Sequence, residues 1–154
     1  ALDALKKDVS TLSSEEQKNL GSSLLVALPI PSSDRGDYLV RHIIGANEEK
    51  LEITLSDTVQ VDQPIQFCRR DPTAAKKDLI RILQDLKNRA PSQPKGGLYY
   101  SCLARGKNMF EGKSEEMKII RDELGEIPIV GFFCNGEISH QRIYAYTGVL
   151  TLFC

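Results

Sequence analysis

The chain has no Cys-x-x-Cys pair, no run of like charge longer than three residues, and only two histidines, His42 and His140. Each shortage excludes something. Its four cysteines, Cys68, Cys102, Cys134 and Cys154, are too scattered for a closed zinc site or a disulfide framework. Reduced thiols, and with them a cytoplasmic setting, are the simpler expectation. With 20 basic and 21 acidic residues there is no electrostatic footprint for nucleic acid and no polybasic patch for a membrane surface. The longest apolar run falls far short of the ~20 residues that span a bilayer, and nothing at the start resembles a signal peptide.

What the sequence does hold is enough apolar material, 41% of 154 residues, for one well-packed domain with room for a small appended subdomain. The chain starts at Ala1, without methionine and directly in a helical pattern, so a piece of a longer protein is expected. Leu2, Leu5, Val9 and Leu12 recur at helical spacing. Ser13-Ser14-Glu15-Glu16 then reads as a capping box for a second short helix that stops near Gly21. "SLLVALPI" predicts a buried strand, "SSDRGD" a loop, and "YLVRHIIG" and "KLEITL" two further strands. Val59, Val61, Ile65 and Phe67 continue a two-residue period, so residues 38–68 are predicted to form an antiparallel meander. Asp71-Pro72 opens the clearest helix, with Ala75, Leu79, Ile82, Leu83 and Leu86 as its apolar stripe.

After the loop "APSQPKGG" come the strand "LYYSCLA", the polar loop "RGKNMFEGK", and a third helix capped by Ser114, carrying Met117, Ile120 and Leu124, and ended by Gly125. "IPIVGFFC" and "RIYAYTGVLTLFC" supply the last strands. Two apolar strands around a helix predict a crossover with Leu98–Ala104 and Ile127–Cys134 as parallel neighbours. The fold class is α+β: a mostly antiparallel sheet with helices packed on it, including one strand–helix–strand crossover.

Two stretches carry chemistry. In "SCLARGKNMFEG" a strand ends at Cys102, and Arg105 and Gly106 open the loop, where an arginine can grip a carboxylate; the plainer reading is a core cysteine before a solvated basic loop. In "CNGEISH" the pair Asn135-Gly136 is a strong hairpin signal, with Cys134 and Glu137 flanking a tight turn. The competing reading makes residues 135–142 a loop lining a concave site, with Glu137 binding an ammonium group while Arg105 holds a carboxylate, a combination suited to an amino acid. A nucleophilic Cys102 or Cys134 needs a base, and no sequence pattern brings His42 or His140 to either. Glu137-x-x-His140 offers two metal ligands only where a helix aligns them. His42 is read as a hydrogen-bonded core residue, while Arg41 must reach water or a carboxylate.

"GFFCNGEI", Gly131 to Ile138, resembles the Gly-Phe-Phe-x-Asn-Gly-Glu-Ile signature of the C-terminal half of the FIST domain, the sensory module of F-box and intracellular signal-transduction proteins. "SCLARG" is similar to that family's Cys-x-Gly-Arg-Gly motif, "QFCRRD" to its Phe-x-x-Arg-Asp element, and "LVRHIIG" to its Ile-Arg-Asn-Ile-x-Gly strand, in the family's order. Ala104 stands where the family usually has glycine, His42 replaces a usual asparagine, and Asp62 occupies a position where glycine is common.

The resemblance implies a cytoplasmic ligand-sensing domain without enzymatic activity or cofactor. Its ligand would be a small polar metabolite, with amino acids as the suggested class, and its partner the N-terminal FIST half or a signalling output domain. The expected ligand-binding residues are Cys102, Arg105, Gly106, Cys134, Asn135, Gly136 and Glu137. Two rival functions stand beside it. One is a protein-interaction module with an exposed apolar patch near Met109 and Phe110; the other is a thiol enzyme or redox sensor using Cys102.

Overall fold

The computed structural model describes residues 1–31, 38–110, 114–139 and 141–154. The expected loop at 32–37, the end of the loop at 111–113, and His140 lie outside the described residues. The chain divides into two compact units, Ala1–Arg70 and Asp71–Cys154.

In the first unit, α1 (Leu2–Ser10) buries Leu2 and Leu5. The helix α2 (Ser14–Leu20) starts on the expected capping box: the Ser13 hydroxyl accepts from the Glu16 amide, and the Glu16 carboxylate accepts from the Ser13 amide. Strand β1 (Leu24–Pro29) lies between β2 (Tyr38–Asn47) and β4 (Gln66–Arg69), and β3 (Glu52–Leu55) extends the sheet beyond β2. A central position explains why β1 reads as an unbroken apolar run: Leu25, Val26, Ala27 and Leu28 are all buried. Every pairing in this sheet is antiparallel, with a bulge between Ile43 and Gly45.

Two expectations are corrected here. The meander does not continue through residues 59–65, and β4 returns to pair with β1 rather than β3. The reason is local. Asp62 takes φ 62°, the left-handed region, the Gln63 amide bonds the Gln60 carbonyl at 3.2 Å, and Val61 is left 92% exposed. A tight turn has displaced the alternating strand. His42, read as a core residue, is exposed, because the pleat sends Arg41 and Ile43 to the more covered face instead. Arg41 finds the carboxylate it requires: its Nε lies 2.6 Å from Asp57 Oδ2.

The second unit starts with α3 (Pro72–Arg89), whose Asp71 cap accepts from the Thr73 and Ala74 amides. Leu79 and Leu83 are its buried residues; Ile82, expected in the stripe, is turned outward and exposed. Strand β5 (Gly96–Cys102) is the middle of a three-stranded sheet, between β6 (Ile129–Cys134) and β9 (Gly148–Phe153). As expected for a crossover, β5 and β6 are parallel, in register from Gly97 opposite Ile129 to Cys102 opposite Cys134. The connection holds α4 (Gly106–Met109), a single turn of helix where a loop was expected, and α5 (Glu115–Leu124). Ser114 precedes α5 but gives no side-chain cap, since its backbone is left-handed at φ 61°. Leu79 and Leu83 pack with Tyr99, Ile120 and Leu124 into one core.

The last predicted strand is divided. Its first part, β8 (Arg142–Tyr144), pairs with β7 (Glu137–Ser139) in a separate ribbon, and only β9 joins the main sheet. The hairpin reading of Asn135-Gly136 is thereby overturned: β6 pairs with β5, so these residues carry the chain from one sheet to another. Gly136 makes this change at φ 130°. The whole is α+β with predominantly antiparallel pairing.

Candidate functional site

Parallel register brings the carboxyl ends of β5 and β6 side by side, and with them the two loops that the sequence singles out. The Leu103 amide donates to the Cys134 carbonyl at 2.8 Å, so the strand pairing runs past Cys102 into the loop. The Arg105 amide then returns to the Cys102 carbonyl at 2.8 Å, turning the chain into α4. Gly106 stands against the Phe133 ring, where a Cβ would come within 2.1 Å of the ring carbon Cε1. Lack of a side chain at Gly106 lets the first loop lie flat on the strand that delivers the second.

Arg105 is held by a carboxylate that sequence reading did not select. Its Nε donates to Glu116 Oε1 at 2.7 Å, and Glu116 is buried in the first turn of α5. The same carboxylate accepts from the Tyr99 hydroxyl at 2.7 Å and the Ser101 hydroxyl at 2.8 Å. Three donors around one buried carboxylate repay its desolvation, which is the condition for keeping a charge inside a protein. The Arg105 guanidinium also lies 5.5 Å from the centre of the buried Phe110 ring, within cation–π range, and its Nη2 approaches the Ala75 carbonyl at 3.5 Å. Burial, and then the Glu116 charge, push the Tyr99 hydroxyl well above its usual range, so it stays a donor.

Glu137 is the second buried carboxylate of this region. Its Oε1 accepts from the Cys134 thiol at 3.0 Å, and its Oε2 accepts from the Thr147 hydroxyl. Burial and the adjoining Glu137 carboxylate push the Cys134 thiol up to about 11. At neutral pH it is a hydrogen-bond donor and not a thiolate. Cys102 is buried at the end of β5, and Asn135 is exposed at the change of sheet.

The structure thus gathers Cys102, Arg105 and Gly106 beside Cys134, Asn135, Gly136 and Glu137. It adds Tyr99, Ser101, Phe110, Glu116 and Thr147 as their partners. One signal for Glu116 was present in the sequence: Glu116, Ile120 and Leu124 are the residues that α5 buries, at i, i+4 and i+8. A carboxylate on an apolar stripe requires a partner. Met117, which the sequence placed on that stripe, is 36% exposed. Phe110 itself is 3% exposed under Arg105, so it adds nothing to an exposed apolar patch, whereas Leu103 in the same loop and Phe133 against Gly106 are 52% and 55% exposed. Among the described residues no group of three His, Cys, Asp or Glu side chains is arranged to hold a metal. No helix among them is long and apolar enough to cross a membrane.

Fold and site define an α+β domain with two buried carboxylates behind adjoining loops. The FIST C domain family matches residues 1–140, and the chain belongs to that family. The chain is 31% identical over 160 residues to the uncharacterized protein Rv0628c of Mycobacterium tuberculosis strain H37Rv. It is 29% identical over 160 residues to the uncharacterized protein Mb0898c of Mycobacterium bovis. Each match takes in 99% of this chain and 42% of the relative, so the chain spans well under half the length of these curated relatives. No solved structure matches it.

Proposed function

We propose that this domain senses a small anionic or zwitterionic metabolite, an amino acid being the favoured class, at the loops following β5 and β6. The observation that supports this reading is the clamping of Arg105. Glu116 takes its Nε edge and the Phe110 ring lies beside its plane, which orients the guanidinium at the carboxyl ends of two parallel strands. An arginine fixed in this way loses little rotamer freedom when an anion arrives at its Nη edge. Backbone amides of Gly106, Asn135 and Gly136 supply further donors to the same anion.

Glu137 has two roles in the proposal. Without ligand it fixes the second loop through Cys134 and Thr147. With an amino acid bound, the ammonium group replaces the weak thiol donor on Oε1. The reading is one of binding without catalysis: a thiol kept protonated by burial and by Glu137 serves recognition better than nucleophilic attack. A cytoplasmic location, and relay of the signal to adjoining polypeptide, belong to the same proposal.

Thermal-shift screening of the chain against each common amino acid and a set of small dicarboxylates tests it. At least one compound is expected to stabilise the wild type, and the stabilisation is expected to disappear in Arg105→Lys, which keeps the charge but loses the planar fork. Equal stabilisation of wild type and Arg105→Lys would remove Arg105 from the site, and an empty screen would remove the metabolite class.

A further inference from the structure

The second unit leaves one face of its sheet open along β6 and half-buried at Leu98 and Tyr100 of β5. Tyr99, Ile129, Leu150 and Leu152 face the core that α3 and α5 close. By alternation, Tyr100, Val130 and Phe132 point to the other side. There Val130 is 67% exposed, and Phe132 is 66% exposed although its ring meets Tyr100 edge-on at 5.0 Å. Among the described residues β6 pairs with β5 alone, so its outer edge is open as well. Residues 127–136 contain no charged side chain, and charge is a usual protection of an open edge. All-parallel sheets are almost always covered on both faces, whereas here the parallel pair shares a mixed sheet with antiparallel β9. This sheet has a single layer of helices.

We infer that the open face of β5 and β6 is the docking surface for a further layer of the same polypeptide, supplied in proteins of this family by the chain outside the matched region. The relatives provide the argument for this occupant. The match takes in 99% of this chain but 42% of each relative, so more than half of each relative is further chain joined covalently to a domain of this kind. A covalently joined layer acts at high effective concentration and needs little intrinsic affinity. An uncharged apolar face suits such a permanent neighbour, because transient interfaces have polar rims and the covered centre of a lasting one does not. The inference concerns the adjoining chain and stands or falls separately from ligand binding at Arg105.

A photo-crosslinking experiment tests it. The probe p-benzoylphenylalanine is placed at Phe132 in the 154-residue chain, and at the aligned position in the full-length 31% identical relative from Mycobacterium tuberculosis. Irradiation of the relative is expected to give an intramolecular crosslink to residues outside the matched region, while the 154-residue chain gives no such product. Crosslinks confined to the matched region would overturn the inference. A crosslinked dimer of the relative would overturn it in favour of a second copy. The experiment needs no ligand, so its result is independent of the amino-acid screen.

Discussion

Arg105 and Glu116 form a 2.7 Å ion pair in which both side chains are nearly closed to solvent, 12% and 6% exposed. The carboxylate also takes the Tyr99 and Ser101 hydroxyls, so one group joins the end of β5, the loop after it and the first turn of α5. Breaking one partner of a buried pair leaves the other uncompensated, at a cost of about 3–5 kcal/mol. Glu116→Leu is therefore expected to lower the unfolding free energy by that order in urea denaturation. Glu116→Gln retains an acceptor and should cost only about 1–3 kcal/mol. A loss below about 0.5 kcal/mol in Glu116→Leu would mean that the network does not organise the loop.

Gly131 stands opposite Tyr99 in the parallel register, and a Cβ there would fall 1.6 Å from the Tyr99 carbonyl oxygen. The obstacle is backbone, which cannot swing aside as the Phe133 ring can at Gly106. Gly131→Ala is expected to cost about 3 kcal/mol or more and to separate the loops by parting β5 from β6. Gly106→Ala should be milder. Thermal unfolding of the two variants side by side checks the order.

Acid stability offers a test in the first unit. The hydrogen bond from Arg41, the largest influence, holds the Asp57 carboxyl below its usual value of 3.8. A carboxyl lowered by folding adds stability above its unfolded pKa and loses it as pH falls through the folded one. Wild type should therefore lose stability relative to Asp57→Asn as pH drops from about 5 toward 2, with the two curves converging at the acid end. Parallel curves over that range would show the pair to be unimportant. Both groups retain some contact with water, so the difference should shrink in high salt.

Thiol labelling separates the recognition reading from the redox one. Cys154 is exposed, Cys102 is buried, and Cys134 is kept protonated beside Glu137. Iodoacetamide at neutral pH should modify Cys154 first, with Cys102 and Cys134 at least about tenfold slower. Preferential labelling of Cys102 would favour a reactive thiol at the end of β5. Glu137→Gln should speed labelling of Cys134 by removing the charge that opposes its ionisation.

Much of this was legible where local chemistry decides the outcome. Asp71-Pro72 and Ser13 with Glu16 marked two helix starts because capping depends on residues a few positions apart. The β5/β6 crossover followed from two apolar strands around a helix. Failures came where distant partners decide. Alternation over residues 59–67 suggested a strand, yet the turn at Asp62 and the pairing of β4 with β1 prevailed. Asn135-Gly136 has hairpin composition, but the strand before it was already committed to β5. Glu116 was missed because its importance arises from donors on β5 and Arg105. At Asp62 the backbone is left-handed, a conformation that aspartate tolerates better than most residues.

The central claim is that the loops after β5 and β6 form one binding site around Arg105. Amide chemical-shift mapping of the isotope-labelled chain, titrated separately with each common amino acid, tests it most directly. The account predicts saturable shifts clustered at Leu103–Met109 and Asn135–Ile138, with affinity reduced at least about tenfold, or 1.4 kcal/mol, in Arg105→Lys. Shifts centred elsewhere in the chain, or none with any amino acid, would contradict it.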